Sequence, residues 1–197
     1  GGSSTFTVVL DAQPTANVTV TLTGADSTEH SLSSSSLTFT TSNWDTAQTI
    51  TVTGANDSLV DGDITTTLTA TASNTGGYAG TETATTTVKT TDNETAGITI
   101  AQTGTTDGSG NLLTTEAGGT STFTVVLDAQ PTANVTVTLT GADSTEHSLS
   151  SSSLTFTTAN WDTAQTITIT GVDDSLDDGD ITTTLTATAS NTGGYAG

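Results

Sequence analysis

Residues 1–80 recur at 118–197, an offset of 117, and 74 of the 80 aligned pairs are identical. The six differences are Ser3/Thr120, Ser42/Ala159, Val52/Ile169, Ala55/Val172, Asn56/Asp173 and Val60/Asp177. A unit of 117 residues is too long for a solenoid repeat of roughly 20–50 residues and has the size of an autonomous domain copied in tandem. Near-identical neighbours are a misassembly hazard during folding. A chain that carries them uses the number of domains itself, as length or multivalency, and an enzyme gains little from that. The given sequence is cut out of phase with the repeat: the first copy lacks the counterpart of residues 95–117 and the second that of 81–94. The expected domains are therefore 1–94, without its first strand, and 95–197, without its last. The opening GGSS, with neither Met nor a signal peptide, reads as a piece of a longer chain.

Within each unit, apolar residues alternate with Thr and Ser at period 2, the signature of half-buried strands. Val18, Val20 and Leu22 face one way in NVTVTLT, with Thr19, Thr21 and Thr23 opposite. The same alternation holds for Phe6, Val8 and Leu10, for Leu37 and Phe39, for Ile50 and Val52, for Ile64, Leu68, Ala70 and Ala72, and for Ala84 and Val88. GITI and NLLTTE precede the second copy. Thr and Val favour strands, and QPTAN, NTGG, DGSGN and AGG are turn punctuation. No segment has helical periodicity. The expected fold is all-β, with tandem antiparallel β-sandwiches of about seven strands each. Hairpin connections then send alternate loops to opposite poles. EAGG (116–119), GADSTEHS (24–31), ANDSLVDGD (55–63) and TDNE (91–94) share one pole; DAQPTAN (11–17), SNWDTAQ (42–48) and NTGGYAG (74–80) share the other.

Charge narrows the function classes. The net charge is −20, with 21 acids against one basic residue, Lys89, and no Arg. That excludes nucleic acid as a partner, because phosphate binding needs clustered Lys and Arg, and it argues against an anionic membrane surface. No apolar run approaches the roughly 18–20 residues of a membrane span. Cysteine is absent, so there is no disulfide frame and no thiolate metal site. Thr and Ser together occupy 76 of the 197 positions, a composition expected of an extracellular chain.

Residues 81–197 hold fourteen acids, and ten of them lie in the loops of the first pole: Asp92, Glu94, Glu116, Asp143, Glu146, Asp173, Asp174, Asp177, Asp178 and Asp180. No Lys or Arg lies in those loops; His147 is nearby. Converging carboxylates without counter-charge either bind a cation or form a solvated acidic surface. Oxygen-only ligands on flexible loops suit calcium better than magnesium's strict octahedron, and zinc or copper would want His or Cys. DDSLDDGD (173–180) does not have the EF-hand spacing.

TITVTGANDSLVDGDITTTLTATASN (49–74), followed by TTTVKTTDNETAGITI (85–100), resembles a Calx-β domain, the module of the regulatory loop of sodium–calcium exchangers and of long bacterial surface adhesins. The likeness spans nearly the whole unit, from Glu116 to TDNETAG. It implies a seven-stranded sandwich with calcium at one pole. The implied ligands are Asn56 and Asp57, with Asp173 and Asp174 in the second copy; Asp61 and Asp178; Asp92, Asn93 and Glu94; Glu116; and, from the divergent loop 24–31, Asp26 and Asp143. Asn56 in place of an acid, and Asp-Asn-Glu in place of three acids, imply fewer or weaker ions than in the most acidic members.

Trp44 and Trp161 are read as lids over the core, Tyr78 and Tyr195 as hairpin packing, and His30 and His147 as surface residues. The Thr arrays are read as solvent faces of strands, since a twisted sandwich offers no flat ice-binding lattice. Catalysis has no support: no G-x-S-x-G elbow is present and each unit carries one His. The chain thus reads as a non-enzymatic, calcium-binding repeat of a secreted or cell-surface adhesin stalk, its partners being neighbouring repeats. The alternatives are an extracellular filament or sheath joined by strand addition and a glycan- or partner-binding module.

Overall fold

The computed structural model describes residues 1–176 and 179–196. Its fourteen strands, with no helix among the described residues, divide between two compact units, 1–57 with 63–92 and 58–62 with 93–197. Among the described residues no helix is long and apolar enough to cross a membrane.

The first unit contains β1 (Ser3–Val8), β2 (Val18–Thr23), β3 (His30–Leu32), β4 (Ser36–Phe39), β5 (Gln48–Gly54), β6 (Ile64–Ala72) and β7 (Thr83–Thr90). Two antiparallel sheets form, one ordered β1-β5-β3 and the other β4-β2-β6-β7. Alternation in sequence becomes alternation in burial: Val18, Val20 and Leu22 are buried along β2 and the intervening threonines exposed. Each such side chain contributes about 1.5–3 kcal/mol by leaving water. Leu10, Val18, Val20, Phe39 and Ala72 form the core, with Trp44 and Tyr78 packed against it.

The second unit contains β8 (Ile98–Gln102), β9 (Thr120–Leu127), β10 (Val135–Thr140), β11 (His147–Leu149), β12 (Ser153–Phe156), β13 (Gln165–Gly171) and β14 (Thr186–Ala189). Its sheets are ordered β11-β13-β9-β8 and β12-β10-β14. Phe123, Val125 and Ile167 from one sheet meet Val135, Val137 and Phe156 from the other in a single buried cluster. Side chains interdigitating between two inner faces define a β-sandwich. Ser58–Gly62 belongs to this unit: Val60 N–H donates to Gln130 O at 2.9 Å, Gln130 N–H donates to Ser58 O at 2.7 Å, and the Val60 side chain joins the apolar cluster.

Several sequence expectations need correction. Each unit has seven described strands, but one of them was read as loop: β3, and its twin β11, lie in or beside 24–31 and 141–148. The chain there pairs first with β5, His30 opposite Gly54, and then crosses to the other sheet, where Phe39 of β4 pairs with Val18 of β2. That crossing buries the histidines read as surface residues: His30 is 1% exposed and His147 8%. His30 Nε2 lies 3.4 Å from Thr66 Oγ1, and its buried Nδ1 has no hydrogen-bond partner. NLLTTE forms no strand; Thr106 and Leu112, then Thr115 and Gly119, meet only in isolated bridges. The second copy's ITTTLTATA (181–189) is strand only over its last four residues.

The loops sort to the two poles as the hairpin argument requires. Tyr78 Oη donates to Ala12 O at 2.9 Å, and Leu10 N–H donates to Trp44 O at 3.1 Å, so the turns at 11–17, 42–48 and 74–80 share one pole. The twin Tyr195, 3% exposed, donates to Ala129 O at 2.7 Å. At the opposite pole Gly24 closes β2 with φ +89°, and a Cβ there would collide with Thr67 O, so only glycine fits the turn.

Candidate metal centre

The first-repeat loop 24–31 begins with an Asx turn. Asp26 Oδ1 accepts Thr28 N–H at 3.1 Å and Thr28 Oγ1–H at 2.6 Å, and Asp26 O accepts His30 N–H at 2.9 Å. The Thr28 hydroxyl, then its amide, hold the Asp26 carboxyl below the usual carboxylate range. Local side-chain acceptance of this kind is what Asp does at turns. Asp143 repeats it with Thr145 in the second unit, including the lowered pKa.

The turn delivers Glu29 to the end of the sandwich. Its carbonyl accepts Ala55 N–H at 2.7 Å and Thr90 Oγ1–H at 3.4 Å, tying this loop to the end of β5 and the end of β7. Glu29 is 9% exposed. Within the first unit Glu29 and Asp57 each bring one carboxylate oxygen within 4.8 Å of the other, Asp57 being exposed; Asp61, also exposed, falls in 58–62, which packs with the second unit. Like charges this close lie well inside the Debye length of about 8 Å at physiological salt and are not screened from one another.

Oxygen donors alone suit a hard cation. Calcium–oxygen distances are about 2.3–2.6 Å, so two ligand oxygens on opposite sides of one ion stand roughly 4.6–5.2 Å apart. Two oxygens within 4.8 Å are compatible with one such ion.

The structure distributes the other sequence-derived candidates as follows. Asn56 is exposed and its Nδ2 donates to Asp57 O at 3.2 Å. Asp92 N–H donates to Asp63 Oδ1 at 3.0 Å, and Asn93 Nδ2 donates to Glu94 Oε1 at 2.9 Å. Glu116 is exposed, and its carbonyl accepts Gly118 N–H at 2.7 Å in the turn before β9. In the second unit Asp173 and Asp174 are exposed, and Asp174 Oδ1 accepts Leu176 N–H at 2.7 Å. Asp178, with Asp177, lies outside the described residues.

Sequence reasoning counted Glu146, the twin of Glu29, among the acids of this pole without assigning either as a ligand. The position of Glu29 places it immediately before the buried His30, the first residue of β3. Lys89, the one basic residue of the chain, is not placed at this pole by the sequence. It lies 2.6 Å from Asp63 Oδ2 and so brings a cation to the pole that the loop sequences alone seemed to lack.

No family model matches the chain, and no curated protein is similar to it in sequence. Among solved structures, the chain is similar to that of CBD12 from CALX1.2, with 18% identity, a TM-score of 0.35, and coverage of 94% of this chain and 73% of the other. The calcium binding domain CBD12 of CALX1.1 gives 18% identity, a TM-score of 0.32, and coverage of 88% and 70%.

Proposed function

We propose that the chain is a calcium-binding structural module, a pair of repeats from the stalk of a secreted or cell-surface adhesin. The observation that carries the calcium reading is the convergence of Glu29 and Asp57 within 4.8 Å from two separate loops of the first unit. A cation there ties the loop after β2 to the loop after β5 and relieves the repulsion of two carboxylates. The stalk reading rests on the near-identity of the two copies over 80 residues, which selects for number and length of domains rather than for a chemistry that one copy would supply. A stalk module acts by resisting extension, so it has no substrate and no catalytic group.

The test is a pair of thermal melts at equal ionic strength, in calcium and in sodium. Ligand that binds only the native state stabilises by mass action, about 2.7 kcal/mol at a hundredfold excess over Kd. A rise in Tm specific to calcium, with a matching rise in unfolding force under single-molecule extension, is the expected result. Equal melts in the two salts return the acids to the role of a solvated surface.

A further inference from the structure

Position 60 is one of the six at which the two copies differ, Val60 in SLVDG (58–62) standing against Asp177 in SLDDG (175–179). Ser58–Gly62 belongs to the second unit, and its backbone is seated there as a fragment of strand. Leu59 forms a parallel bridge with Gln130. Val60 N–H donates to Gln130 O at 2.9 Å, and Gln130 N–H donates to Ser58 O at 2.7 Å. The Val60 side chain packs against the apolar cluster that holds Tyr195. Gly194 lets the two backbones meet: a Cβ there would stand 3.0 Å from Val60 Cβ and would collide with Val60 O.

The residues that receive this segment are held in place by their own unit. Pro131 follows Gln130, and a residue before proline is confined to extended backbone, the conformation that a β-bridge needs. Gln130 Nε2 donates to Thr158 O at 2.7 Å. Tyr195 Oη is bonded to both the N–H and the carbonyl of Ala129. The first unit repeats the framework, with Gln13 Nε2 on Thr41 O at 2.8 Å and Tyr78 on Ala12, so the framework is a property of the repeat.

We propose that Gln130, Gly194 and Tyr195 form a recognition site for an extended Ser-Leu-Val segment, and that the side chain at position 60 decides whether the segment is taken. This goes beyond calcium binding and stalk length and depends on neither. The main-chain hydrogen bonds at Gln130 give affinity without regard to side chain, and selectivity comes from where the side chain lands. Valine leaves water there and brings no polar group to satisfy. Aspartate would bring a carboxylate to the apolar cluster without a counter-charge, since the chain's one basic side chain, Lys89, is paired with Asp63. Taking an unpaired charge out of water is strongly unfavourable. Asp128, two residues before Gln130, already holds a carboxylate on Thr99 Oγ1 at 2.6 Å, so a second one is repelled. The site thus takes the SLVDG version of the loop and refuses the SLDDG version.

The experiment follows amide hydrogen exchange in the full chain. Val60→Asp, which writes the second copy's residue into the first loop, should speed exchange of the amides of residue 60 and Gln130 by about tenfold or more. The amides of β9, β10 and β13 should stay as slow as before. Val60→Ile should keep residue 60 and Gln130 slow. Gly194→Ala gives a second route and should release the same two amides. Gly77→Ala should not, although it places a side chain at a similar φ, +94° against +88°, because nothing lies within 4 Å of the added carbon. Unchanged exchange in Val60→Asp, or equal release by Val60→Ile, overturns the proposal. So does an equal effect of Gly77→Ala and Gly194→Ala on these amides. Loss of protection throughout β9, β10 and β13 in Val60→Asp overturns it too, since Val60 would then hold the core together rather than fill a recognition site.

Discussion

Lys89 Nζ stands 2.6 Å from Asp63 Oδ2, and Asp92 N–H donates to the other oxygen of the same carboxylate at 3.0 Å. One side chain thus fastens the end of β7 beside the start of β6. Two chain segments whose pairing runs from Ile64–Thr90 to Thr71–Thr83 are closed by this clip at the acidic pole.

Asp63 is held below the usual carboxylate range, chiefly by the Lys89 ammonium and then by the Asp92 amide. A lowered pKa in the folded state means stability that is present above the unfolded value, about 3.9, and lost as pH falls through the folded one. The side chains of Lys89 and Asp63 are 57% and 42% exposed, so the contribution is small and salt-sensitive. Asp63→Asn should lower Tm slightly at pH 7, and the difference from the native chain should vanish as the pH is taken well below 4. Melts across pH in low and high salt measure it.

Glu29→Gln and Asp57→Asn should each cut the calcium-dependent rise in Tm by about half or more, because ligand charge sets affinity at oxygen sites. Asp45→Asn, in the turn at the opposite pole, should leave that rise unchanged. Titration calorimetry on the three variants reads the same order directly.

Tyr195 Oη donates to Ala129 O at 2.7 Å and accepts Ala129 N–H at 3.2 Å, both buried. Tyr195→Phe should cost about 1–3 kcal/mol, since it leaves buried backbone groups unpaired. Tyr78→Phe should cost less, its bonds to Ala12 being exposed. Burial raises the Tyr195 pKa, so the fold favours the neutral phenol. That stability is complete below about pH 10 and is lost as pH rises through the raised value. Denaturant titrations at pH 8 and above 10 should show the native chain approaching Tyr195→Phe.

Phe156 is 0% exposed at the centre of the second unit's cluster, as Phe39 is in the first. Phe156→Ala should cost about 3–5 kcal/mol through lost transfer energy and the cavity left behind. Chemical denaturation measures it. A cost below about 1 kcal/mol would mean that the site collapses around the smaller side chain.

Much of the architecture was legible because its cause is local. Val18, Val20 and Leu22 alternate with threonines, and an extended chain places alternate side chains on opposite faces. That fact gives strand, buried face and hairpin polarity together, and it located the acidic loops at one pole. The burial of His30 and the three-residue strand that carries it had no such signal: His30–Leu32 is too short to show a period, and it pairs with β5 only because the chain leaves one sheet for the other. The Lys89–Asp63 clip joins residues 26 positions apart, and nothing in either loop announces the other.

The sequence by itself determined which residues seek the core, where the chain turns, how large a repeat is and how acidic its loops are, because periodicity, turn chemistry and charge belong to neighbouring residues. Only the tertiary structure decided which carboxylates meet, since Glu29 reaches Asp57 through the pairing of β3 with β5. It also decided that His30–Leu32 is a strand, paired with β5. A strand's backbone hydrogen bonds are made with another segment, so its length is a property of the pair.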